Sequence, residues 1–309
     1  MKEERYRLIT RADFDGVVAG GLLIELNMID EIMFAEPKDM QDGRVPVTDR
    51  DVTTNLPYVE GVGLCFDHHV SETVRIGVKD NHVIDPTAPS AARVVYDYFG
   101  GQLTFPAIST EMMDAVDQAD SARYSDANIL APQGWTLLNF IMDPRTGLNR
   151  FDDFTISHEQ LMKDMMVYCR HHPIEEILQI PDVAERVHRY LEHEEAAELQ
   201  LTRCSSVTDD VVVADLRAEP VIYCCNRFLI YALFPNASIS VHLMASSAPG
   251  RTHIAAGKSI LNRTSKANLG LLMLEYGGGG HEAAATCHVD DADAERIAAE
   301  IVSKINAAG

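Results

Sequence analysis

The stretch "YRLITRADFDGVVAGGLLIELNMI" (residues 6–29) combines a strand pattern, a short acidic loop and a helix pattern. "YRLIT" has the residues of a strand, and the long apolar run "GVVAGGLLIELNMI" is typical of a buried helix. Between them, Asp13 and Asp15 are spaced so that both carboxylates can lie on one side of a tight loop at Gly16. Two such carboxylates can flank a divalent cation. The alternative is an N-capping aspartate with a surface neighbour.

The alternation of strand and helix patterns continues through the first third of the chain. Strand patterns are "EIMFAEP", "VTTNLPY" and "VGLCFD", and "SAARVVYDYFG" is a helix pattern. Strands separated by helices predict a mainly parallel sheet with flanking helices. In such sheets ligands bind beyond the carboxyl ends of the strands.

Polar side chains follow several of these predicted strands. Asp67, His68 and His69 in "CFDHHVSE" (residues 65–72) come at the end of a short apolar strand, and Asn55 follows another. Imidazole and carboxylate groups are ligands for divalent cations. A polar loop after a buried strand would have the same residue types. The location of these residues at several strand ends is therefore stronger evidence for a cation site than any single motif.

Two more aspartates lie in "AVDQADSARY" (residues 115–124). Asp117 and Asp120 are three residues apart and would share one face of a helix. They are candidate metal ligands, with a solvated helix face as the alternative.

The second half of the chain changes character twice. Residues 157–203 are rich in helix formers, and strand patterns follow in "VVVADLR", "PVIYCC" and "SISVHLMA" before a final helix. The sequence predicts an α/β fold with an N-terminal domain over 1–190, a helical linker over 191–204 and a smaller mixed-sheet α/β domain over 205–309.

The run "GGGGH" (residues 277–281) suggests a phosphate site. Successive glycines can expose backbone N–H groups to an anion, and a helix-like segment follows. Gly278, Gly279, Gly280 and His281 are therefore candidate substrate-binding residues, together with the nearby cation Arg263. A flexible turn is the alternative.

"FIMDPRTGLNRF" (residues 140–151) contains a turn at Pro144 and Gly147. Arg145 in this turn could face the site, or it could pair with Asp143, and we prefer the structural ion pair.

Composition limits the function. The formal net charge is −21, which argues against binding to long nucleic acid. Six cysteines without a CxxC spacing indicate neither a disulfide framework nor a zinc site. With no apolar run long enough to span a bilayer and no signal-peptide pattern, we expect a cytoplasmic protein that does not bind membranes.

Taken in order, these motifs resemble the DHH phosphoesterase family with its DHH-associated C-terminal domain. The resemblance covers nearly the whole chain and is strongest to the exopolyphosphatase-related branch, where "LPY" closely precedes Asp-His-His. It implies a manganese or magnesium site and substrate in a cleft between the domains. One metal would draw on Asp13, and a second on Asp15, His68 and Asp120.

The same resemblance implies roles for the remaining residues. His69 and the glycine loop would hold substrate phosphate, and Asp67 would orient the histidines. Two positions depart from the family pattern: Arg11 stands where the family has His or Asp, and Asn55 stands where it has a bridging aspartate. Asp49 is an alternative to Asn55.

The sequence therefore predicts a metal-dependent phosphohydrolase acting on the end of a short anionic substrate. Polyphosphate, a short oligonucleotide or a dinucleotide would fit, and a homodimer is an open option. The competing hypothesis is a catalytically weak phosphate-binding or regulatory protein that has lost a metal, which Arg11 and Asn55 favour.

Overall fold

The chain, seen in a computed structural model that describes residues 5–309, divides between two α/β units. The first contains the described residues up to Arg123 together with Pro132–Tyr190, and the second contains Tyr124–Ala131 and Leu191–Gly309. A parallel sheet in one unit and a mixed sheet in the other confirm the predicted α/β class.

In the first unit, five strands alternate with helices. The strands are β1 (Tyr6–Thr10), β2 (Ile29–Phe34), β3 (Asp51–Thr54), β4 (Leu64–Asp67) and β5 (His82–Ile84). The helices up to the end of this unit are α1 (Phe14–Glu25), α2 (Pro37–Gln41), α3 (Val70–Ile76), α4 (Ala91–Tyr98), α5 (Thr110–Asp120), α6 (Asp126–Leu130, grouped with the second unit), α7 (Gly134–Met142), α8 (His158–Tyr168) and α9 (Ile174–Ile177). Helix α10 (Pro181–Cys204) begins in the first unit and ends in the second.

The sheet of the first unit is parallel throughout, with strand order β2-β1-β3-β4-β5. The order reverses beside β1, because β2 lies on one side of it and β3 on the other. Such a reversal opens a crevice at the carboxyl ends of the strands, where α/β proteins bind ligands. The loops after β1, β3 and β4 all leave the sheet at this edge.

Helix α1 follows β1 directly and is almost completely buried. Asp13 caps it by accepting a hydrogen bond from Gly16 N at 3.0 Å, and ten of its twelve residues are buried. Gly20 lets neighbouring groups come close, since a Cβ there would lie 2.8 Å from side-chain atoms of Leu8 and Met166. This packing fixes the start of α1, which carries Asp15.

The second unit has a six-stranded mixed sheet. Its strands are β6 (Ser205–Thr208), β7 (Val211–Asp215), β8 (Ile239–Ala245), β9 (Arg251–Lys258), β10 (Gly279–His281) and β11 (Ala284–Asp290), in the order β10-β11-β9-β8-β7-β6. Three helices complete it: α11 (Leu229–Leu233), α12 (Leu269–Leu274) and α13 (Ala294–Ala308). Only β7 and β8 pair in parallel among the described strands of this sheet.

Two local predictions in the second unit are wrong. "PVIYCC" forms no strand, because its backbone bonds to a side chain instead of a neighbouring strand: Gln200 donates to Val221 O and accepts from Tyr223 N. The segment after "GGGG" is the β10–β11 hairpin and not a helix. Within residues 5–309, no helix combines the length and apolar character needed to cross a membrane.

Candidate functional site

Three side chains from separate elements meet at the carboxyl edge of the parallel sheet. Asp15 lies in the first turn of α1, His68 follows β4, and Asp120 ends α5. One potential ligand atom from each lies within 4.8 Å of the other two. His68 Nε2 is buried, 3.0 Å from Asp120 Oδ2, in an ion-pair contact rather than an aligned hydrogen bond.

The start of α4 positions two of these three side chains. Both oxygens of Asp15 accept backbone N–H bonds, from Ala91 at 3.0 Å and Ala92 at 2.7 Å. His68 Nδ1 lies 3.1 Å from Ala88 O, a contact that places the ring proton on Nδ1 and leaves Nε2 able to bind a cation. The sequence predicts this helix, and Ser90 before two small residues marks its start, but nothing in the pattern indicates that it holds the site residues.

Asp15 and His68 both have raised pKa values when no cation is present. Burial raises the pKa of Asp15 to about 7, and the Asp120 carboxylate adds to this rise. Burial opposes the charged form of His68, but the contact with Asp120 and the charge of Asp15 outweigh it and raise the pKa of His68 to about 9. Two nearby carboxylates thus need a positive charge beside them, supplied here by the imidazolium.

Asp67 forms hydrogen bonds with both histidines that follow it. It is completely buried, and its Oδ1 accepts hydrogen bonds from His68 N at 2.8 Å and His69 N at 3.2 Å. His69 Nδ1 lies 2.6 Å from the same oxygen, and this hydrogen bond raises the pKa of His69. The side chain of His69 stays 38% exposed. Asp67 therefore holds His69 in one orientation and favours its protonated form.

Asp13 is occupied by groups of the chain itself. Arg11 Nε lies 3.3 Å from Asp13 Oδ2, and Asn55 Nδ2 donates to Asp13 Oδ1 at 3.4 Å. The Asn55 backbone is left-handed (φ 55°), and its buried Oδ1 has no hydrogen-bond partner among the described residues. The guanidinium thus stands where a first cation bound to Asp13 would need to be.

The other candidate carboxylates lie elsewhere. Asp117 is not in the group of three: its oxygens accept from Ser90 Oγ at 2.7 Å and from the Arg93 guanidinium at 2.9 and 2.6 Å. It thereby anchors the start of α4. Asp49 is exposed in the turn before β3 and is not in the group either.

The glycine run in the second unit is partly used by the fold. Gly277 N donates to Leu274 O and Gly278 N to Met273 O, which closes the end of α12, and Gly277 is left-handed (φ 73°) as this cap requires. Two of the four N–H groups are therefore not available to a phosphate. Gly279 is different, because a Cβ there would meet only Leu274 Cδ2, at 3.8 Å.

Two candidate residues of the second unit remain: His281, the last residue of the run, and Arg263, which precedes it in the chain. His281 is exposed and ends β10. Arg263 is exposed and donates Nε to Ile260 O at 3.0 Å. Their role in substrate binding stays a prediction.

Asp15, His68 and Asp120 fit a divalent cation. One ligand atom from each residue lies within 4.8 Å of the other two, and carboxylate oxygens with an imidazole nitrogen are a donor set that divalent cations take. The buried His68 Nε2, which lacks an aligned hydrogen bond, would gain a partner.

Comparison with known proteins gives a strong match over the whole chain. A pGpG-specific phosphodiesterase, PggH from Vibrio cholerae, is 49% identical, with a TM-score of 0.87, over 99% of this chain and 100% of that one. CDC45 from Entamoeba histolytica shares the fold at 8% identity, with a TM-score of 0.53 over 97% and 95% of the two chains. No protein-family profile matches the chain, and a search of curated proteins gave no match.

The likeness to PggH extends over the full length of both proteins, and the Asp-x-Asp-Gly and Asp-His-His motifs follow strands β1 and β4 at the carboxyl edge of the sheet. The chain therefore belongs to the DHH phosphoesterase family and is a hydrolase of phosphodiester or phosphoanhydride bonds.

Proposed function

We propose that this protein is a metal-dependent phosphodiesterase that hydrolyses the linear dinucleotide pGpG to two molecules of GMP. The observation that carries the proposal is the 49% identity to a pGpG-specific phosphodiesterase over essentially the whole of both chains. A dinucleotide is also among the short anionic substrates that a chain of net charge −21 could accept with only local cations.

Asp15, His68 and Asp120 would hold one Mn²⁺ or Mg²⁺ ion. When bound, the ion supplies a water of lowered pKa and polarises a phosphoryl oxygen. Asp15 and His68 are pre-positioned for this by the start of α4, so little reorganisation is needed.

His69 would contact the phosphodiester from the exposed side of the histidine pair. Its Nδ1 is held by Asp67, which leaves Nε2 to donate a proton to the phosphate or to the leaving 3′ oxygen. Arg11, beside Asp13, would add fixed positive charge for a neighbouring phosphate of the substrate.

A substrate panel tests the proposed specificity. Purified protein with added Mn²⁺ is offered pGpG, a four-residue oligoribonucleotide, cyclic di-GMP, pyrophosphate and polyphosphate, and products are separated by chromatography. We expect GMP from pGpG at a kcat/KM at least about tenfold above that for any other substrate. A preference for polyphosphate would instead support the exopolyphosphatase-like specificity, and binding of pGpG without turnover would support the regulatory alternative.

Gly279 offers a test of the glycine loop. Gly279→Val should raise KM for pGpG severalfold with metal affinity unchanged, because the new side chain fits the fold but would crowd an approaching phosphate. Steady-state kinetics and a metal titration measure the two effects. Gly280→Val is the contrasting variant, since its Cβ would lie 2.5 Å from Ala284 O and should destabilise the fold. A loss of metal affinity in Gly279→Val would place this loop in the metal site.

Metal binding should also release protons. The pKa of His68 is raised to about 9 and that of Asp15 to about 7 in the metal-free protein, whereas both groups must be deprotonated to bind a cation. We expect the affinity for Mg²⁺ to rise about tenfold per pH unit between pH 7 and 9, where His68 loses its proton. Calorimetry in two buffers of different ionisation enthalpy should give about one proton released per ion. Affinity independent of pH over this range would show that His68 is not a ligand.

A further inference from the structure

Arg145 lies in a hydrogen-bonded turn of the first unit that the chemistry above does not use. Asp143 begins the 3₁₀ turn Pro144–Thr146, and its Oδ1 accepts from Arg145 N at 2.9 Å and from Arg145 Nε at 2.7 Å. Asp143 itself is 7% exposed. The inner end of the guanidinium is therefore fixed to a buried carboxylate.

The outer end of the same guanidinium is free. Among residues 5–309, Arg145 Nη1 and Nη2 make no hydrogen bond, and the side chain is 49% exposed. Arg11 is held more loosely: its Nε lies 3.3 Å from Asp13 Oδ2 in an ion pair, its Nη atoms make no hydrogen bond within the described chain, and its side chain is 30% exposed. Each of these two guanidinium groups therefore faces a carboxylate with its Nε and has its two Nη groups available as hydrogen-bond donors.

The turn of Arg145 lies near the loop of Arg11, because the charge of Asp13, two residues after Arg11, acts on the Arg145 guanidinium. His158, at the start of α8, is influenced both by the backbone of Ala12 and by the charge of Asp143, so these two residues lie close to one ring. Burial opposes the charge of Arg145, yet its pKa is raised, first by Asp143 and further by Asp13 and Asp120. The guanidinium therefore lies within electrostatic reach of the carboxylates at the candidate metal site.

We propose that Arg145, together with Arg11, binds the 5′-terminal phosphate of the linear dinucleotide. The inference rests on the proposed function and names the part of the substrate that these residues recognise. A phosphate monoester carries about −1.5 to −2 charges near neutral pH, since its second pKa is about 6, whereas a phosphodiester carries one. The single charge of the scissile group faces the metal site, so the more highly charged terminal group needs cations of its own.

Guanidinium groups suit this task. Each can donate two parallel hydrogen bonds to phosphate oxygens, and neither loses its charge at any pH the protein tolerates. Because the Nε end of Arg145 is already hydrogen-bonded to Asp143 and that of Arg11 is ion-paired with Asp13, the loss of side-chain entropy on binding is reduced. Arg145 would thus distinguish a 5′-phosphorylated dinucleotide from one that ends in a hydroxyl.

The test compares pGpG with GpG, which lacks only the terminal phosphate. Values of kcat/KM are measured for the wild-type protein, Arg145→Gln, Arg145→Lys and the control Arg44→Gln, which removes an exposed, ion-paired arginine of the same unit. We expect Arg145→Gln to lower kcat/KM for pGpG about 10- to 100-fold and that for GpG less than about threefold. The kcat/KM of Arg145→Lys for pGpG should lie between those of the wild-type protein and Arg145→Gln, because lysine keeps the charge but cannot donate two parallel hydrogen bonds.

Each other outcome is decisive. Equal losses on pGpG and GpG would assign Arg145 to the scissile phosphate and overturn the inference, as would no loss on either in a variant with a wild-type melting temperature. If Arg145→Gln does not fold, Arg145→Lys decides the question. Its kcat/KM for pGpG must then fall more than its kcat/KM for GpG. A wild-type protein that hydrolyses pGpG no faster than buffer would instead overturn the proposed function, and this inference with it.

Discussion

Replacing His68 by alanine is expected to lower kcat for pGpG by about 10³-fold while the protein stays folded. The imidazole would supply one of three protein ligands to the metal, and metal activation is worth several kcal/mol of transition-state stabilisation. Its ring is only partly buried, and its backbone N–H donates to Asp67, so the backbone conformation should not change in the variant. Turnover at saturating Mn²⁺ and thermal unfolding measure the two expectations.

A histidine of the same unit provides the control for this variant. His172 is about half exposed and contacts Glu176, so His172→Ala should leave turnover within about twofold of wild type. His68→Ala with wild-type turnover would remove His68 from the metal site. A cooperative unfolding transition in His68→Ala is required before its lost activity is assigned to the metal.

The pair Arg11→His with Asn55→Asp is expected to raise the metal content from one ion per chain to two. In the wild-type protein, Arg11 and Asn55 occupy both oxygens of Asp13, and a guanidinium there repels a cation. The double variant frees Asp13 and supplies an imidazole and a carboxylate beside it. Aspartate tolerates the left-handed backbone of position 55, so this substitution should be accommodated. Elemental analysis after gel filtration counts the ions.

Arg11→Lys serves as the matched variant, since it keeps the positive charge and should keep one ion per chain. Two ions already bound to the wild-type protein would contradict the single-metal arrangement. One ion in the double variant would show that Arg11 and Asn55 are not what excludes the second.

Much of the site could be predicted from sequence because strand ends carry it. A mainly parallel sheet, which the alternation of strands and helices predicts, already puts the residues that follow its strands, among them Asp15 and His68, at one edge of the sheet. Asp120 was placed by motif order, and the structure brings it to within 3.0 Å of His68 Nε2. Asp117 shows that a three-residue spacing on a helix does not by itself predict a shared site. Its side chain is rotated away from that of Asp120 and binds Arg93.

Other features depend on contacts that local patterns do not encode. The start of α4 holds Asp15 through backbone N–H groups, which any residue type provides. "PVIYCC" has strand-forming residues, but the side chain of Gln200, far away in sequence, takes its hydrogen bonds. The glycine run suggested a phosphate loop, yet half of its N–H groups close α12. For Arg145, the ion pair with Asp143 was anticipated, and its open Nη end was not.

The most direct test of the account is GMP formation from pGpG by metal-stripped protein titrated with Mn²⁺. We predict no GMP above the buffer rate without the ion, and turnover that rises with added Mn²⁺ and saturates at one equivalent when protein concentration is well above the Kd. Two molecules of GMP should form for each pGpG consumed. Equal GMP formation in excess EDTA, or no GMP at any Mn²⁺ or Mg²⁺ concentration, would contradict the account.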